Sequence, residues 1–178
     1  MQSEQIVAQQ VIETERFDLR PLRRSDQGLI DLYAGDKRVA MMTTSIAHPL
    51  PPGSTEAFIA RNTAGNPAET VWAIDGTKDE GAELKGLISL KKLDRHQSEI
   101  GYWVGPPFWN TGVASEALQA LIAANPLGDT SLFASVFQDN PASAQVLTHC
   151  GFNYLGDAES YSVARGATVP TWTYSRKL

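Results

Sequence analysis

The spacing of apolar residues divides the chain into segments of helical and of strand character. In the first third, apolar residues recur at helical intervals over Leu29–Ala34, and a further helix is predicted to start at Ser54. From Thr70 to Val104 apolar residues alternate with polar ones, which predicts three strands joined by polar turns. Helical spacing returns over residues 113–124, where the apolar positions are mostly small. The chain therefore mixes helices with a meander of strands.

Capping residues mark where several of these helices begin and end. Ser25-Asp26 is predicted to cap the first helix and Asp36 a short second one. Asn140 followed by Pro141 predicts another helix start, since proline is favoured at the first helical position. That helix is expected to end at Gly151, because glycine accepts the left-handed backbone of a C-terminal cap.

Four further strands complete the predicted set, over Thr14–Leu22, Ser131–Phe137, Phe152–Asp157 and Val169–Lys177. The element order is β-α-α-α-β-β-β-α-β-α-β-β, which predicts an α/β (α+β) fold with a mixed sheet and helices on its faces. At 178 residues the chain has the size of one domain. We expect a flexible polar arm over residues 1–12 and a single domain over residues 13–178.

Composition and charge exclude several classes of protein. The net charge is −5 and the basic residues form no block, which argues against a nucleic-acid backbone as partner. The apolar runs fall short of the roughly 18–20 residues that a membrane span requires. No spacing of His, Cys, Asp or Glu indicates a metal site. The single cysteine and the absence of a signal-peptide pattern at the N-terminus favour a cytoplasmic protein.

The stretch from Glu99 to Ala117 carries the strongest chemical signal. A strand ends at Gly105-Pro106-Pro107, and the loop after it leads through Trp109–Gly112 into an Ala-rich helix. The first N–H groups of a helix lack partners within the helix and carry partial positive charge, so they bind anions. The loop therefore predicts a site for a phosphate-bearing cofactor, with a plain strand-to-helix turn as the alternative.

Three segments taken together resemble the GNAT N-acetyltransferase superfamily. They are Glu99–Val104 with the loop Trp109–Ala114 after it, Asn140–Ser143, and Cys150–Phe152. The segment Thr14–Leu22 also resembles the first strand of the branch that contains ribosomal-protein N-terminal acetyltransferases. The resemblance covers about residues 13–178 and implies one GNAT-like domain with a mixed, mostly antiparallel sheet flanked by helices. It also implies acetyl-CoA as cosubstrate, with no metal, and an amine as acetyl acceptor.

The resemblance further implies a set of cofactor-binding residues. The loop from Trp109 would hold the pyrophosphate through main-chain N–H groups, and the end of the preceding strand would pair with the peptide-like pantetheine arm. Asn140 would contact the cofactor, with a pure helix cap as the alternative for this residue. The expected cofactor-binding residues are Tyr102, Trp103, Val104, Trp109, Asn110, Thr111, Gly112, Val113, Ala114, Asn140 and Ser143.

Two residues are candidates for proton transfer. An acceptor amine, with a pKa of about 8 for an α-amino group or about 10.4 for lysine, arrives mostly protonated and must lose a proton. Glu99 is the candidate base, with an ordinary solvated strand side chain as the alternative. Many members of the superfamily have a tyrosine acid where this chain has Leu147. Ser143 is therefore the candidate proton donor, with a serine bonded to a preceding carbonyl as the alternative.

The predicted function is an N-acetyltransferase that moves the acetyl group of acetyl-CoA to a primary amine by direct transfer in a ternary complex. The acceptor is expected to be a protein N-terminus or a small amine, between which the motifs do not distinguish. A non-catalytic acyl-CoA-binding module is the alternative from a different class. The motifs do not indicate the oligomeric state, and pairing of the C-terminal strand in a homodimer is left open.

Overall fold

The structure, a computed structural model, describes residues 9–65 and 67–178. In that part of the chain the strands β1 to β8 are Ile12–Glu13, Asp18–Pro21, Glu69–Asp75, Gly86–Lys92, Gln97–Val104, Ser131–Phe137, Asn153–Ser162 and Ala167–Lys177. The helices α1 to α5 are Gln27–Ala34, Lys37–Ala40, Ser54–Thr63, Val113–Ala124 and Pro141–His149. Short 3-10 turns lie at Arg24–Asp26, Thr77–Asp79 and Pro106–Phe108.

A single sheet holds these strands in the order β1-β2-β3-β4-β5-β6-β8-β7. Neighbouring strands run antiparallel except β5 and β6, which are parallel. The predicted mixed, mostly antiparallel sheet with flanking helices is therefore confirmed. The C-terminal strand, for which the sequence leaves pairing in a homodimer open, lies inside the sheet, because β8 pairs with β6 on one side and β7 on the other. The hairpin of β7 and β8 leaves β7 at the edge of the sheet instead.

The start of the sheet differs from the sequence prediction. The single strand expected over Thr14–Leu22 is part of a hairpin, in which Ile12 of β1 pairs with Leu19 of β2. A hydrogen bond from Thr14 N to Phe17 O (2.9 Å) closes the turn between them. The strand β1 was missed because two residues are too few to show a period.

The segment before β1 is held against β3. The Gln9 side chain donates to Val71 O (2.7 Å), and the Trp72 indole donates to Gln10 O (2.8 Å). Ile12 is buried in the core. A flexible arm was predicted over residues 1–12. Residues 1–8 of this arm lie outside the described part of the chain. Residues 9–12 contact the sheet, which places the start of the packed domain before residue 13.

Two hydrophobic clusters lie on opposite faces of the sheet. Helices α4 and α5 cover one face, where Leu147 is fully buried. Helices α1 and α3 cover the other face, where Ile30 packs. Consecutive side chains of β5 enter different clusters, with Tyr102 on the α4–α5 side and Trp103 on the α1–α3 side. The strand that carries the candidate chemistry therefore contributes to both faces.

A buried ion cluster fastens β2 to β3 and to the turn before α1. The Arg20 guanidinium donates two hydrogen bonds to Asp26 (2.7 and 2.9 Å) and one to Asp75 (2.7 Å). Asp26 is the N-cap residue of α1, as predicted, but its carboxylate accepts from Arg20 and from Arg23 N instead of from the N–H groups of the helix. Burial alone would raise the pKa of Asp75, but hydrogen bonds from Arg20 and Thr77 outweigh it and lower that pKa.

Candidate active site

A cleft of about 1600 Å³ opens where β5 and β6 separate. The two strands pair only over Gln97–Glu99 of β5 and Ser131–Phe133 of β6. β5 then continues to Val104 with β4 on one side and the gap on the other. A strand edge carries N–H and C=O groups with which a peptide-like chain can pair. The gap therefore offers a binding edge between the two halves of the sheet.

The loop between β5 and α4 brings a helix N-terminus to one end of this cleft. Asn110 and Gly112 both have left-handed backbones, with φ of 60° and 79°. Gly112 is the N-cap of α4 and has no side chain, so the N–H groups of the first turn, which begins with Val113 and Ala114, are open to the loop. Together with the helix dipole, these groups make this end of the cleft attractive to a phosphate.

Side chains of the loop hold it against neighbouring elements. The Trp109 indole donates to Val104 O at the end of β5 (2.7 Å), and the Arg38 guanidinium lies 5.3 Å from the centroid of its ring. The Thr111 hydroxyl donates to Phe108 O within the loop. These contacts fix the loop relative to the strand that leads into it.

A second attachment of α4 comes from the β1–β2 hairpin and was not predicted from the sequence. Glu116, in the first turn of α4, accepts hydrogen bonds from the Thr14 hydroxyl (2.7 Å) and from Arg16 Nε (2.9 Å). Burial alone would raise the pKa of Glu116, but these hydrogen bonds outweigh it and lower that pKa. Arg16 Nη2 lies 3.5 Å from the position that a Cβ on Gly112 would occupy. A guanidinium therefore flanks the N-terminus of α4.

The N-terminus of α5 lies on the opposite side of the gap. Asn140 caps the helix as predicted, and its side-chain oxygen accepts from Ser143 N (3.4 Å). The Ser143 hydroxyl lies 2.7 Å from the hydroxyl of Tyr102 on β5 instead of bonding to a preceding carbonyl. Burial raises the pKa of Tyr102 to about 12, so the phenol is protonated at neutral pH. Sequence reasoning gave Tyr102 only a main-chain role and did not foresee this contact.

Glu99 lies where β5 leaves its pairing with β6. Its side chain is exposed, lines the cleft, and shares the α1–α3 side of the sheet with Trp103. Tyr102 and Ser143 approach the gap from the α4–α5 side. The candidate base and the candidate proton donor therefore reach the gap from opposite faces of the sheet.

The cleft brings together nearly all of the site residues predicted from the sequence. The predicted residues that line it are Glu99, Tyr102, Trp103, Val104, Trp109, Asn110, Gly112, Val113, Ala114, Asn140 and Ser143. Thr111 lies outside the lining, because its hydroxyl turns back to Phe108 O.

An arginine links the two sides of the cleft on the α1–α3 face. Arg165, in the β7–β8 turn, donates from Nε and Nη2 to Met41 O (2.9 and 2.7 Å) and forms an ion pair with Asp139 (2.5 Å). Val163 N also donates to Thr44 O (3.0 Å). We call these four contacts the Arg165 bridge. The bridge joins the segment after α2 to the β7–β8 turn, and no local sequence pattern indicated it.

Residues 9–65 and 67–178 contain no group of three or more His, Cys, Asp or Glu side chains that could hold a metal ion. Among the helices of this part of the chain, none combines the length and the apolar character needed to cross a membrane.

Residues 16–153 match the family model described as acetyltransferase (GNAT) domain. The chain belongs to this family. The superfamily expected from the motifs is thus confirmed. One relative of this GNAT protein is the uncharacterized N-acetyltransferase YoaA of Bacillus subtilis (strain 168), which is 33% identical over 108 residues. That match covers 58% of the chain and 60% of YoaA, so it spans less than two-thirds of the relative's length.

Solved structures of acetyltransferases share the fold of this GNAT protein. The microcin C7 self-immunity acetyltransferase MccE, solved with acetyl-CoA and AMP, has a TM-score of 0.80 at 17% identity, covering 93% of this chain and 94% of that one. RimL, a ribosomal L7/L12 alpha-N-protein acetyltransferase solved with coenzyme A, has a TM-score of 0.81 at 18% identity, covering 95% of this chain and 98% of that one. At these identities the similarity shows a common fold.

Proposed function

We propose that this GNAT protein is an acetyl-CoA-dependent N-acetyltransferase that transfers the acetyl group directly to a primary amine in a ternary complex. The observation that carries the proposal is the gap between β5 and β6. The gap connects the helix N-terminus at Gly112 with the cavity beside Glu99. Donor and acceptor can therefore enter from different sides and meet at one point, which direct transfer requires.

The residues present fit the acetyl donor. The N–H groups at the start of α4, with Arg16 beside them, suit the pyrophosphate. The free edge of β5 suits the amides of the pantetheine arm. Alternate residues of β5 turn their main-chain groups towards β4, as the bonds from Leu93 N to Gln97 O and from Gly105 N to Lys85 O show, so Tyr102 and Val104 turn theirs to the gap. Since the Trp109 indole already engages Val104 O, we expect the arm to pair with the main chain of Tyr102 and with Val104 N.

The proton steps divide between the two faces of the sheet. Acetyl-CoA supplies an acetyl thioester, whose C–S bond breaks as the bond from its carbonyl carbon to the amine nitrogen forms. Glu99, on the α1–α3 side, accepts the proton that the amine must lose, directly or through a water. Ser143, on the α4–α5 side, donates a hydrogen bond to the departing sulfur. Base and donor thus act on opposite sides of the reacting carbon.

The acceptor in this proposal is a protein N-terminus or a small amine. RimL is by its name an alpha-N-protein acetyltransferase, and MccE was solved with the small molecule AMP. The charged side chains that line the cleft are Glu69, Lys91 and Glu99 of the sheet together with Arg38 and Arg61. We further propose a cytoplasmic setting, because Cys150 is a free thiol, which suits a reducing compartment.

Steady-state release of the coenzyme A thiol, measured with a panel of small amines and N-terminal peptides, tests the proposal. Release that depends on one class of amine supports the enzyme and identifies its acceptor. Calorimetric binding of acetyl-CoA without release in the presence of any amine favours the alternative, a non-catalytic acyl-CoA-binding module. Failure to bind acetyl-CoA at millimolar concentration would contradict both.

A further inference from the structure

Two hydroxyl groups face each other on the α4–α5 side of the gap. Tyr102 Oη, from β5, lies 2.7 Å from Ser143 Oγ and 3.3 Å from Ser143 O, in the first turn of α5. Both residues line the cleft. The pair therefore connects the strand that we expect to bind the pantetheine arm with the helix on the other wall.

The pair places a phenol in the gap although α5 itself provides none. Leu147, where many members of the superfamily have a tyrosine, is fully buried in the core. Tyr102 reaches the start of α5 from the opposite wall, and its side chain is partly exposed to the cleft. A tyrosine hydroxyl is thus present beside Ser143, but it comes from β5.

We propose that Tyr102 is a positioning residue that holds the Ser143 hydroxyl towards the sulfur of acetyl-CoA, an inference that rests on the proposed function. Tyr102 donates its O–H to Ser143 Oγ, and Ser143 donates its own O–H to the sulfur. The C–S bond breaks while the C–N bond forms, and the sulfur leaves with the bonding electron pair. The amine proton passes through Glu99 to solvent, and the released thiolate takes a proton from solvent.

A chain of hydrogen bonds strengthens the donor at its end. When Ser143 accepts a hydrogen bond from the phenol, its own O–H becomes more polarised and binds a developing negative charge more strongly. Tyr102 remains a donor over the working pH range, because burial raises its pKa to about 12. A thiol has a pKa of about 8.5, so the sulfur leaves as a thiolate that hydrogen bonds stabilise.

Tyr102→Phe removes the hydroxyl and keeps the ring. We expect kcat to fall about tenfold, the effect of one lost hydrogen bond, while the KM for acetyl-CoA stays within about twofold of wild type. The double variant Tyr102→Phe/Ser143→Ala should be no slower than Ser143→Ala, since Tyr102 acts through Ser143. Tyr154→Phe is the matched control, because Tyr154 donates a similar hydrogen bond to Asp157 (2.6 Å) outside the cleft.

A titration of bound coenzyme A separates positioning from a purely structural role. Hydroxyls that donate to the sulfur favour the thiolate and lower the pKa of the bound thiol. We expect the ultraviolet thiolate absorbance of the complex to appear at lower pH than that of free coenzyme A, with desulfo-coenzyme A as the spectral blank. This shift should be lost in Tyr102→Phe and in Ser143→Ala. Slower turnover of Tyr102→Phe with the shift intact would overturn the inference.

The same measurements distinguish this inference from the function on which it rests. One outcome is that the wild type lowers the pKa of the bound coenzyme A thiol, but none of the amines causes release of thiol from acetyl-CoA. The proposed enzyme then fails, and the assignment of Tyr102 is supported. If the wild type turns over and Tyr102→Phe equals it in rate and titration, the assignment of Tyr102 alone fails. A chain that does not bind coenzyme A overturns both.

Discussion

Lys91 of β4 lies directly opposite Glu99 of β5 in the antiparallel register. Glu69 of β3 lies opposite Lys91 on its other side, so the three side chains form a row across one face of the sheet. Residues in such positions have Cβ atoms about 4.5–5.5 Å apart. One carboxylate of the row is therefore beside the gap and the other is two strands away, with the Lys91 position between them.

Glu99→Gln should slow acetyl transfer most at neutral pH. We expect kcat/KM to fall about 100-fold at pH 7, the usual contribution of a general base, and less at high pH, where the amine arrives neutral. Complete pH–rate profiles of wild type and variant check this. Glu69→Gln makes the same change in the same row, two strands from the gap, and should leave the pH dependence of kcat/KM unaltered. If Glu99→Gln also leaves it unaltered, Glu99 is not the base.

Gly112→Ala should weaken the binding of acetyl-CoA. A left-handed backbone, here with φ of 79°, costs an alanine about 1–2 kcal/mol, so the loop is expected to shift and to lose N–H contacts with the pyrophosphate. Calorimetry should show a higher Kd. Gly128→Ala is the control, because Gly128 has a similar φ of 65° and lies outside the loop. Equal Kd values for Gly112→Ala and wild type would contradict the assignment of the loop.

Local signals in the sequence were sufficient to predict several of the elements that frame the cleft. Asn140 caps α5 by accepting a hydrogen bond from Ser143 N, only three residues away. The bounds of β6, Ser131–Phe137, agree with those of its apolar run. Helix α4 begins directly after its N-cap Gly112, where the loop pattern places the helix start. Each of these features depends on interactions within a few residues, which a single sequence displays.

Contacts between distant segments could not be predicted in this way. Arg16 and Glu116 are 100 positions apart, and no pattern in either segment identifies the other. The alternation of β5 places Tyr102 on the correct face of the sheet. Its hydrogen-bond partner, Ser143, lies 41 positions later on a helix. Asp26 has the residue type of a helix cap, but its carboxylate binds the Arg20 guanidinium. A buried guanidinium binds a carboxylate more strongly than a helix N–H does. The packing of the whole chain decides such pairs.

Arg20→Met should destabilise the fold, because it removes the buried cation that lies between the carboxylates of Asp26 and Asp75. Breaking a buried ion pair costs about 3–5 kcal/mol, which urea unfolding at pH 7 would show. The folded pKa of Asp75 is below its unfolded value of about 3.9. Its stabilisation is therefore present above about pH 4 and is lost as the pH falls through the folded pKa. The difference between wild type and variant should shrink on acidification.

Lys78→Met is the control for this experiment. Lys78 and Asp18 also form an ion pair between distant segments (2.8 Å), but both side chains are 33% exposed, so water screens the interaction. We expect the unfolding free energy of this variant to stay close to that of wild type. An Arg20→Met variant as stable as wild type at pH 7 would show that the cluster does not hold β2 to β3.

Arg165→Ala should loosen the acceptor side of the cleft and leave acetyl-CoA binding unchanged. The change removes two hydrogen bonds to Met41 O and the ion pair with Asp139. The hydrogen bond from Arg165 lowers the pKa of Asp139, so the ion pair is lost only as the pH falls through that lowered pKa. At neutral pH we expect faster amide exchange over residues 41–44 and a higher KM for the amine. Lys78→Ala, which breaks an ion pair outside the cleft, should change neither. Unaltered exchange over residues 41–44 in Arg165→Ala would show that the Arg165 bridge does not hold this wall.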